Sequence, residues 1–207
     1  MQTFRKRSYR LSEFARDLAG LVPHAGALVR GAAGSGRLNF LLREEVLTAV
    51  AAQNQCRYCT YIHEGFAQFA GASDEEIALI EGRAGEPLDR RRWVAVCYAR
   101  AGVTGDVPLE LEAQARSLYS SVELSEIRAL AAMMNFTSLC GNTADSLVAR
   151  LSGASGTRAD AKAAEELLIA LLSVPIGGPS LALSALLRLA RRAGLSRKPA
   201  AGVPVRR

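Results

Sequence analysis

Four residues in the first third of the chain have the types and spacing needed for thiol chemistry. Cys56 and Cys59 form a Cys-x-x-Cys pair, His63 follows four residues after the second cysteine, and eleven residues separate Glu44 from the first. Positions i, i+3 and i+7 of an α-helix lie within roughly 60° of one another. The two thiols and the imidazole are therefore predicted to share one helix face.

Each of these residue types has a task in dithiol redox chemistry. A thiolate is the nucleophile, and a second thiol one turn away can trap the oxidised sulfur as a disulfide. His63 can move the proton, and a carboxylate bound to its ring, the task we assign to Glu44, would fix the tautomer and favour the charged imidazole. Lowering the pKa of a thiol raises the rate only about a few-fold by itself. Proton delivery to the departing oxygen, which typically supplies ~10² to 10⁴, should contribute more.

A metal site is the main competing interpretation of the Cys-x-x-Cys pair. Zinc would use Cys56, Cys59 and His63 with a fourth ligand, and Cys97 or Cys140 could be recruited. Neither of these two cysteines stands in a paired ligand motif, and both occur within apolar helical patterns, where an unpaired cysteine usually behaves as a small buried hydrophobe. We therefore predict no bound metal or cofactor and assign no function to either cysteine.

The composition predicts an all-α fold. Hydrophobic residues make up 49% of the chain and aromatic residues only 6%, and the dominant Ala and Leu are strong helix formers. Periodicity, caps and breakers predict helices over residues 11–22, 41–53, 56–70, from 73, 87–100, 108–118, 121–150, 159–173 and 180–193. Gly71 and Gly102 are expected to end two of them, and Trp93 and Tyr98 take core-like positions.

A helical hairpin would bring the carboxylate to the imidazole. Asn54 and Gln55 are weak helix formers and can host a break between the helix that carries Glu44 and the helix that begins with the cysteine pair. Residues about ten before and eight after such a turn reach a similar height along the two helices. Glu44 is thus predicted to face His63 across the hairpin.

The pattern of Glu44, Cys56, Cys59 and His63 resembles the signature of the alkylhydroperoxidase D and carboxymuconolactone decarboxylase superfamily. The spacing is similar at every signature position. The resemblance implies an all-α helical bundle with the Cys-x-x-Cys pair at the start of a core helix. It also implies that Cys59 attacks a small hydroperoxide, that Cys56 closes the disulfide and meets the reductant, and that the other two residues form a proton relay.

The resemblance covers about residues 37–150, and its closing helix is similar to the stretch 126–146 with Asn135 and Asn142. An N-terminal helix and linker at 1–36 and a C-terminal helical extension with a basic tail at 151–207 lie outside it. The family implies homo-oligomers and an external dithiol reductant, such as a lipoylated or thioredoxin-like protein. Characterised peroxidases of the family often carry a second histidine where this chain has Tyr58, which can still donate a hydrogen bond as a supporting residue.

The charge distribution argues against a specific nucleic-acid site. The formal net charge is +6, but the basic residues concentrate at the two ends and do not interleave with aromatic residues. No continuous apolar stretch follows the basic start, and the Val-Pro-Ile-Gly-Gly-Pro run at 174–179 interrupts the least charged segment. We therefore expect a cytoplasmic protein without a membrane span. A carboxymuconolactone decarboxylase-like lyase and a non-enzymatic redox sensor are the alternative functions.

Overall fold

The computed structural model describes residues 4–83, 88–153 and 162–193. Every regular element within these ranges is helical, which confirms the all-α prediction. The helices are α1 (Leu11–Gly20), α2 (Ala25–Ala32), α3 (Phe40–Gln53), α4 (Arg57–Ala70), α5 (Asp74–Ile80), α6 (Arg90–Thr104), α7 (Leu109–Leu118), α8 (Ser121–Leu151) and α9 (Ala163–Arg192). A short 3₁₀ turn, Val22–His24, lies between α1 and α2.

Side-chain caps mark where several helices begin and end. Ser73 accepts from the backbone N–H of Glu76, whose carboxylate accepts from the Ser73 N–H, each at 3.0 Å. Ser120 and Glu123 form the same reciprocal capping box at the start of α8. α4 ends at Gly71, which takes the left-handed conformation with φ 112°, as the sequence predicts. Glycine reaches this conformation without the steric cost that a Cβ would bring.

α3 lies at the centre of the fold and fixes the position of Glu44. Val46 and Val50 are fully buried, and the helix packs against α4, α6 and α8. Glu45 is also fully buried, and Arg92 of α6 donates to both of its carboxylate oxygens. A buried charge that loses such a partner is strongly destabilising, so this ion pair holds α3 and α6 in one register.

The sequence predictions are wrong at three positions outside the site. Residues 25–32 form α2, where the sequence predicts no helix between residues 22 and 41; packing against α8 stabilises this short helix. α6 continues past Gly102 and ends at Gly105, where φ is 80°. Tyr98 is buried as predicted, but Trp93 is 38% exposed.

The last helix is one bent element where the sequence predicts two. Pro175 and Pro179 both lie inside α9, and the arms Ala163–Pro175 and Gly177–Arg192 meet at 54°. A proline removes one backbone donor and bends a helix without necessarily ending it. Within the described ranges no single helix is long and apolar enough to cross a membrane; the two arms meet that test only as a bent pair.

The segments predicted to flank the core domain pack onto it. α9 lies against α4 and α8, and α1 lies against α8 and α9. The Ser184 hydroxyl donates to the Ile62 carbonyl at 3.1 Å, and Arg188 donates to the Tyr61 carbonyl at 2.7 Å. Gly65 makes room for Ser184, because a Cβ there would clash with the serine hydroxyl. The C-terminal helix is therefore seated on the helix that carries the cysteines.

Candidate active site

The turn between α3 and α4 is held by its own backbone hydrogen bonds and by a side chain of α8. Gln55 takes the left-handed conformation, with φ 57°, while the Cys56 and Gln55 N–H groups donate to the carbonyls of Ala51 and Ala52. This pattern is the Schellman motif, which normally carries glycine at the left-handed position. From α8, the Asn142 side chain donates to the Asn54 carbonyl at 2.8 Å. The chain reverses where the sequence predicts it.

Cys56 is the N-cap residue of α4, and Cys59 lies in the first turn of that helix. The Cys56 backbone is extended, with φ −83° and ψ 96°, so the shared-face geometry of an unbroken helix applies only to Cys59 and His63. The Cys59 N–H donates to the Cys56 sulfur at 3.3 Å. A helix N-terminus favours negative charge, and this hydrogen bond favours it on the first sulfur.

The two thiols have opposite electrostatic environments. The Cys59 thiol also donates to the Cys56 sulfur, and this side-chain hydrogen bond lowers the pKa of Cys56, whereas for its own donor, Cys59, the same thiol–thiol bond together with burial raises the pKa. The first proton lost from the pair therefore leaves the site of Cys56, and Cys59 keeps its own while the thiolate is next to it. The more acidic thiol is the less accessible one, since Cys56 is fully buried and Cys59 retains 8% exposure.

Glu44 and His63 meet across the hairpin. Glu44 Oε2 lies 2.7 Å from His63 Nδ1, and both side chains are largely buried. A carboxylate in this position holds the ring so that Nδ1 carries a proton and Nε2 is directed elsewhere. Thr48, one turn along α3, donates its hydroxyl to the Glu44 carbonyl at 2.8 Å.

An apolar cavity of about 680 Å³ opens beside Cys59 and His63. Its wall combines α4 and α8 with side chains from α1 and from both arms of α9, among them Phe14, Phe136, Ile62, Met134, Leu172 and Leu181. Cys56 does not line it. The residues on either side of the core domain, to which the sequence assigns no purpose, thus supply much of the cavity wall.

Gly141, a glycine in the interior of α8, lies against both cysteines. A Cβ at this position would lie 2.7 Å from the Cys56 sulfur and 3.8 Å from the Cys59 sulfur. Its α8 neighbour Asn142 holds the turn that carries both cysteines. In the sequence, the one indication that Gly141 and Asn142 belong to the site is the resemblance of the 126–146 stretch to the closing helix of the family.

Tyr58 lines the cavity, and its hydroxyl belongs to a charged network. It accepts from the Arg57 guanidinium at 2.8 Å, while Arg57 and Lys6 each lie 2.7 Å from the Asp145 carboxylate. Burial, and after it the hydrogen bond to Asp145, raises the pKa of Tyr58. The phenol therefore stays protonated near neutral pH and can act only as a hydrogen-bond partner.

The other cysteines differ in their relation to the cavity. Cys140 is buried in the cavity wall, and burial raises the pKa of its thiol to about 11, whereas Cys97 is only partly buried on α6. In the part of the chain that the structure describes, no group of three or more His, Cys, Asp or Glu side chains is arranged to hold a metal ion.

Whole-chain similarity contributes no further information about this site. No protein-family model, no curated protein and no solved structure matches the chain. The functional conclusion therefore depends on the geometry and chemistry of the site itself.

Proposed function

We propose that the protein is a thiol-dependent peroxidase of the alkylhydroperoxidase D type. It would reduce small hydroperoxides through Cys59 and Cys56, with His63 and Glu44 as the proton relay. One observation carries the proposal: Cys59 and His63, one helical turn apart on α4, both line one cavity, and each is hydrogen-bonded to its partner, Cys56 or Glu44. A nucleophile, a resolving thiol and a proton donor are the three parts that this reaction needs.

The first step is attack by the Cys59 sulfur on the terminal oxygen of the hydroperoxide. Its proton passes to the Cys56 thiolate, with which it already shares a hydrogen bond. The O–O bond breaks, a sulfenic acid forms on Cys59, and the departing alkoxide takes a proton from Nε2 of the His63 imidazolium to become an alcohol. Glu44 stabilises the imidazolium through Nδ1.

The second step closes the disulfide. The Cys56 sulfur attacks the sulfur of the Cys59 sulfenic acid, the S–O bond breaks, and the thiol proton joins the departing hydroxide to form water. The hydrogen bond from the Cys59 N–H to the Cys56 sulfur supports this order, because it favours the thiolate needed for the attack. An external dithiol, carried by a lipoylated or thioredoxin-like protein, then reduces the disulfide by exchange.

The cavity wall bears on the alternative lyase function. Decarboxylation acts on an anionic substrate, which a cationic side chain would normally bind. Among the described residues that line the cavity there is no lysine or arginine, so the His63 imidazolium, which the relay uses as its proton donor, is the one cation there. The rest of the wall is largely apolar, which favours an uncharged substrate such as a hydroperoxide.

The test is free-thiol counting and peptide mapping of the reduced protein before and after brief peroxide treatment, followed by steady-state turnover with dihydrolipoamide. We expect a reversible disulfide between Cys56 and Cys59, no peroxide consumption in Cys59→Ser, and one oxidation event without turnover in Cys56→Ser. Cys97→Ser is the matched control, because Cys97 lies away from the cavity, and it should retain full activity.

Three results would contradict the proposal in different ways. Equal turnover in both variants of the pair would refute the assignment of roles. A disulfide that forms without turnover on any dithiol would indicate a redox sensor. A cysteine pair that does not react with peroxide would leave the carboxymuconolactone decarboxylase-like lyase as the function to test.

A further inference from the structure

The outer face of α9 is unusually apolar. Nine large apolar side chains between 167 and 189 are at least 36% exposed, and Leu171, Val174 and Leu186 each reach about 60%. We call these nine residues the apolar face of α9. Soluble proteins rarely expose apolar patches larger than a few hundred Å² unless a partner or a membrane covers them.

Acidic residues precede the apolar face along α9, and basic residues follow it. The chain carries no Asp, Glu, Lys or Arg from 167 to 187, and then Arg188, Arg191 and Arg192 close the helix. The sequence continues with Arg197, Lys198, Arg206 and Arg207. An apolar helix face next to a cluster of basic residues is the pattern of helices that lie in the interface of an anionic bilayer.

The inner face of α9 shows how the helix would lie. Ile169, Ser184 and Glu166 are fully buried, Glu166 accepts from Ser146 at 2.7 Å and from Arg150, and the hydroxyl of Ser184 is bound to α4. Insertion across a bilayer would break these contacts and place the Glu166 carboxylate in hydrocarbon. The 54° bend also prevents a straight span. The helix can keep one face on the protein and offer the other to lipid.

We propose that the apolar face of α9 docks this protein onto the surface of an anionic membrane. The leucines of both arms enter the boundary between headgroups and acyl chains, and Arg192 contacts lipid phosphates. Arg191, which lies 3.4 Å from the exposed Asp74 carboxylate, would exchange that partner for a lipid phosphate. Leu172 and Leu181 belong both to this face and to the wall of the cavity, so the bound bilayer lies directly beside the cavity. The docking itself does not depend on the proposed peroxidase activity.

The experiment is co-sedimentation of the full chain with vesicles of 70% phosphatidylcholine and 30% phosphatidylglycerol, compared with pure phosphatidylcholine. The double variant Leu171→Asp/Leu186→Asp removes one leucine from each arm and should bind at least tenfold less tightly. The matched control Leu109→Asp/Val122→Asp adds the same charge at exposed apolar positions of α7 and α8 and should bind as the wild type does.

The basic end gives an independent readout. Arg191→Gln and Arg192→Gln should each reduce binding to the anionic vesicles roughly fivefold at low salt, and added salt should reduce wild-type binding in the same way. If the leucine variant loses helical structure, a photoactivatable lipid should still label α9 peptides in the wild-type protein. Labelling confined to other helices would overturn the proposal.

Two further outcomes would overturn it. One is wild-type protein that binds neither vesicle, or binds no better than the leucine variant. The other is a concentration-dependent dimer that Leu171→Asp/Leu186→Asp dissociates while no vesicle binding is seen, because the occupant of the face is then a second copy of the chain.

Discussion

Gly141→Ala should separate the chemistry of the cysteine pair from the stability of the fold. The added methyl group would lie 2.7 Å from the Cys56 sulfur and 3.6 Å from the ring of Tyr58. The sulfur must therefore retreat by roughly 0.7 Å to reach ordinary van der Waals contact. Cys56 has little freedom to do so, since it is fully buried and its backbone N–H is tied to the Ala51 carbonyl.

Two opposing terms set the expected loss of stability. Overpacking in a buried site typically costs about 1–3 kcal/mol, while replacing glycine by alanine inside a helix recovers up to about 1 kcal/mol. The free energy of unfolding should therefore fall by roughly 0–2 kcal/mol, which leaves the protein folded. A displaced Cys56 sulfur loses the hydrogen bonds of Cys59, so the pKa of Cys56 should rise and disulfide formation should slow by about tenfold or more.

The assay is stopped-flow measurement of disulfide formation after peroxide addition, together with urea unfolding of the reduced protein. Gly102→Ala is the matched control, because Gly102 lies inside α6 and a Cβ there meets nothing within 4 Å. It should raise the free energy of unfolding slightly and leave the rate unchanged. If Gly141→Ala forms the disulfide at the wild-type rate, the glycine does not control the position of the Cys56 sulfur.

Three further predictions concern the Glu44–His63 relay, the turn between α3 and α4, and the contact between α4 and α9. Glu44→Gln should slow peroxide turnover by roughly 10- to 100-fold with an unchanged melting temperature, since the amide can still accept from His63 but carries no charge; an unaltered rate would remove Glu44 from the mechanism. Asn142→Ala should lower the free energy of unfolding by about 1–3 kcal/mol in urea, because it removes the donor that binds the Asn54 carbonyl; no change would show that the turn does not need it. Glu64 of α4 accepts from Arg188 of α9 at 3.0 Å. Burial, and after it the hydrogen bond with Glu81, raises the pKa of Glu64 from 4.5 to about 7. The folded state therefore binds more protons than the unfolded state between these pH values. The free energy of unfolding should fall by roughly 1–2 kcal/mol as pH rises through this window. Thermal melting at a series of pH values should show this fall in the wild type and not in Glu64→Gln.

Local features of the sequence determined the hairpin and its chemistry. The spacing of Glu44, Cys56, Cys59 and His63 predicts that the carboxylate meets the imidazole, and the structure places the two groups 2.7 Å apart. Such a prediction needs only helix geometry and one chain reversal, both of which depend on residues close in sequence. The caps at Ser73 and Gly71 follow for the same reason.

Tertiary structure alone decided how the cysteine pair is supported and what surrounds it. Gly141 and Asn142 reach the turn from more than 80 residues away, as the separation of Asn142 from Asn54 shows. The sequence contains no local signal for such a contact, because it depends on how α8 packs against α3 and α4. The unequal environments of the two thiols likewise arise from burial and from the N-cap geometry of Cys56.

The C-terminal helix shows most clearly what the sequence alone does not determine. The sequence determined that the segment is apolar and that prolines and glycines interrupt it, but breaker residues alone do not reveal whether a helix ends or bends. Packing of Ile169 and Ser184 against the core keeps α9 continuous through a 54° bend and turns the remaining leucines outward. Residues that lie outside the predicted core domain thus form part of the cavity wall, because burial is decided by contacts between helices and not by the order of residues along one of them.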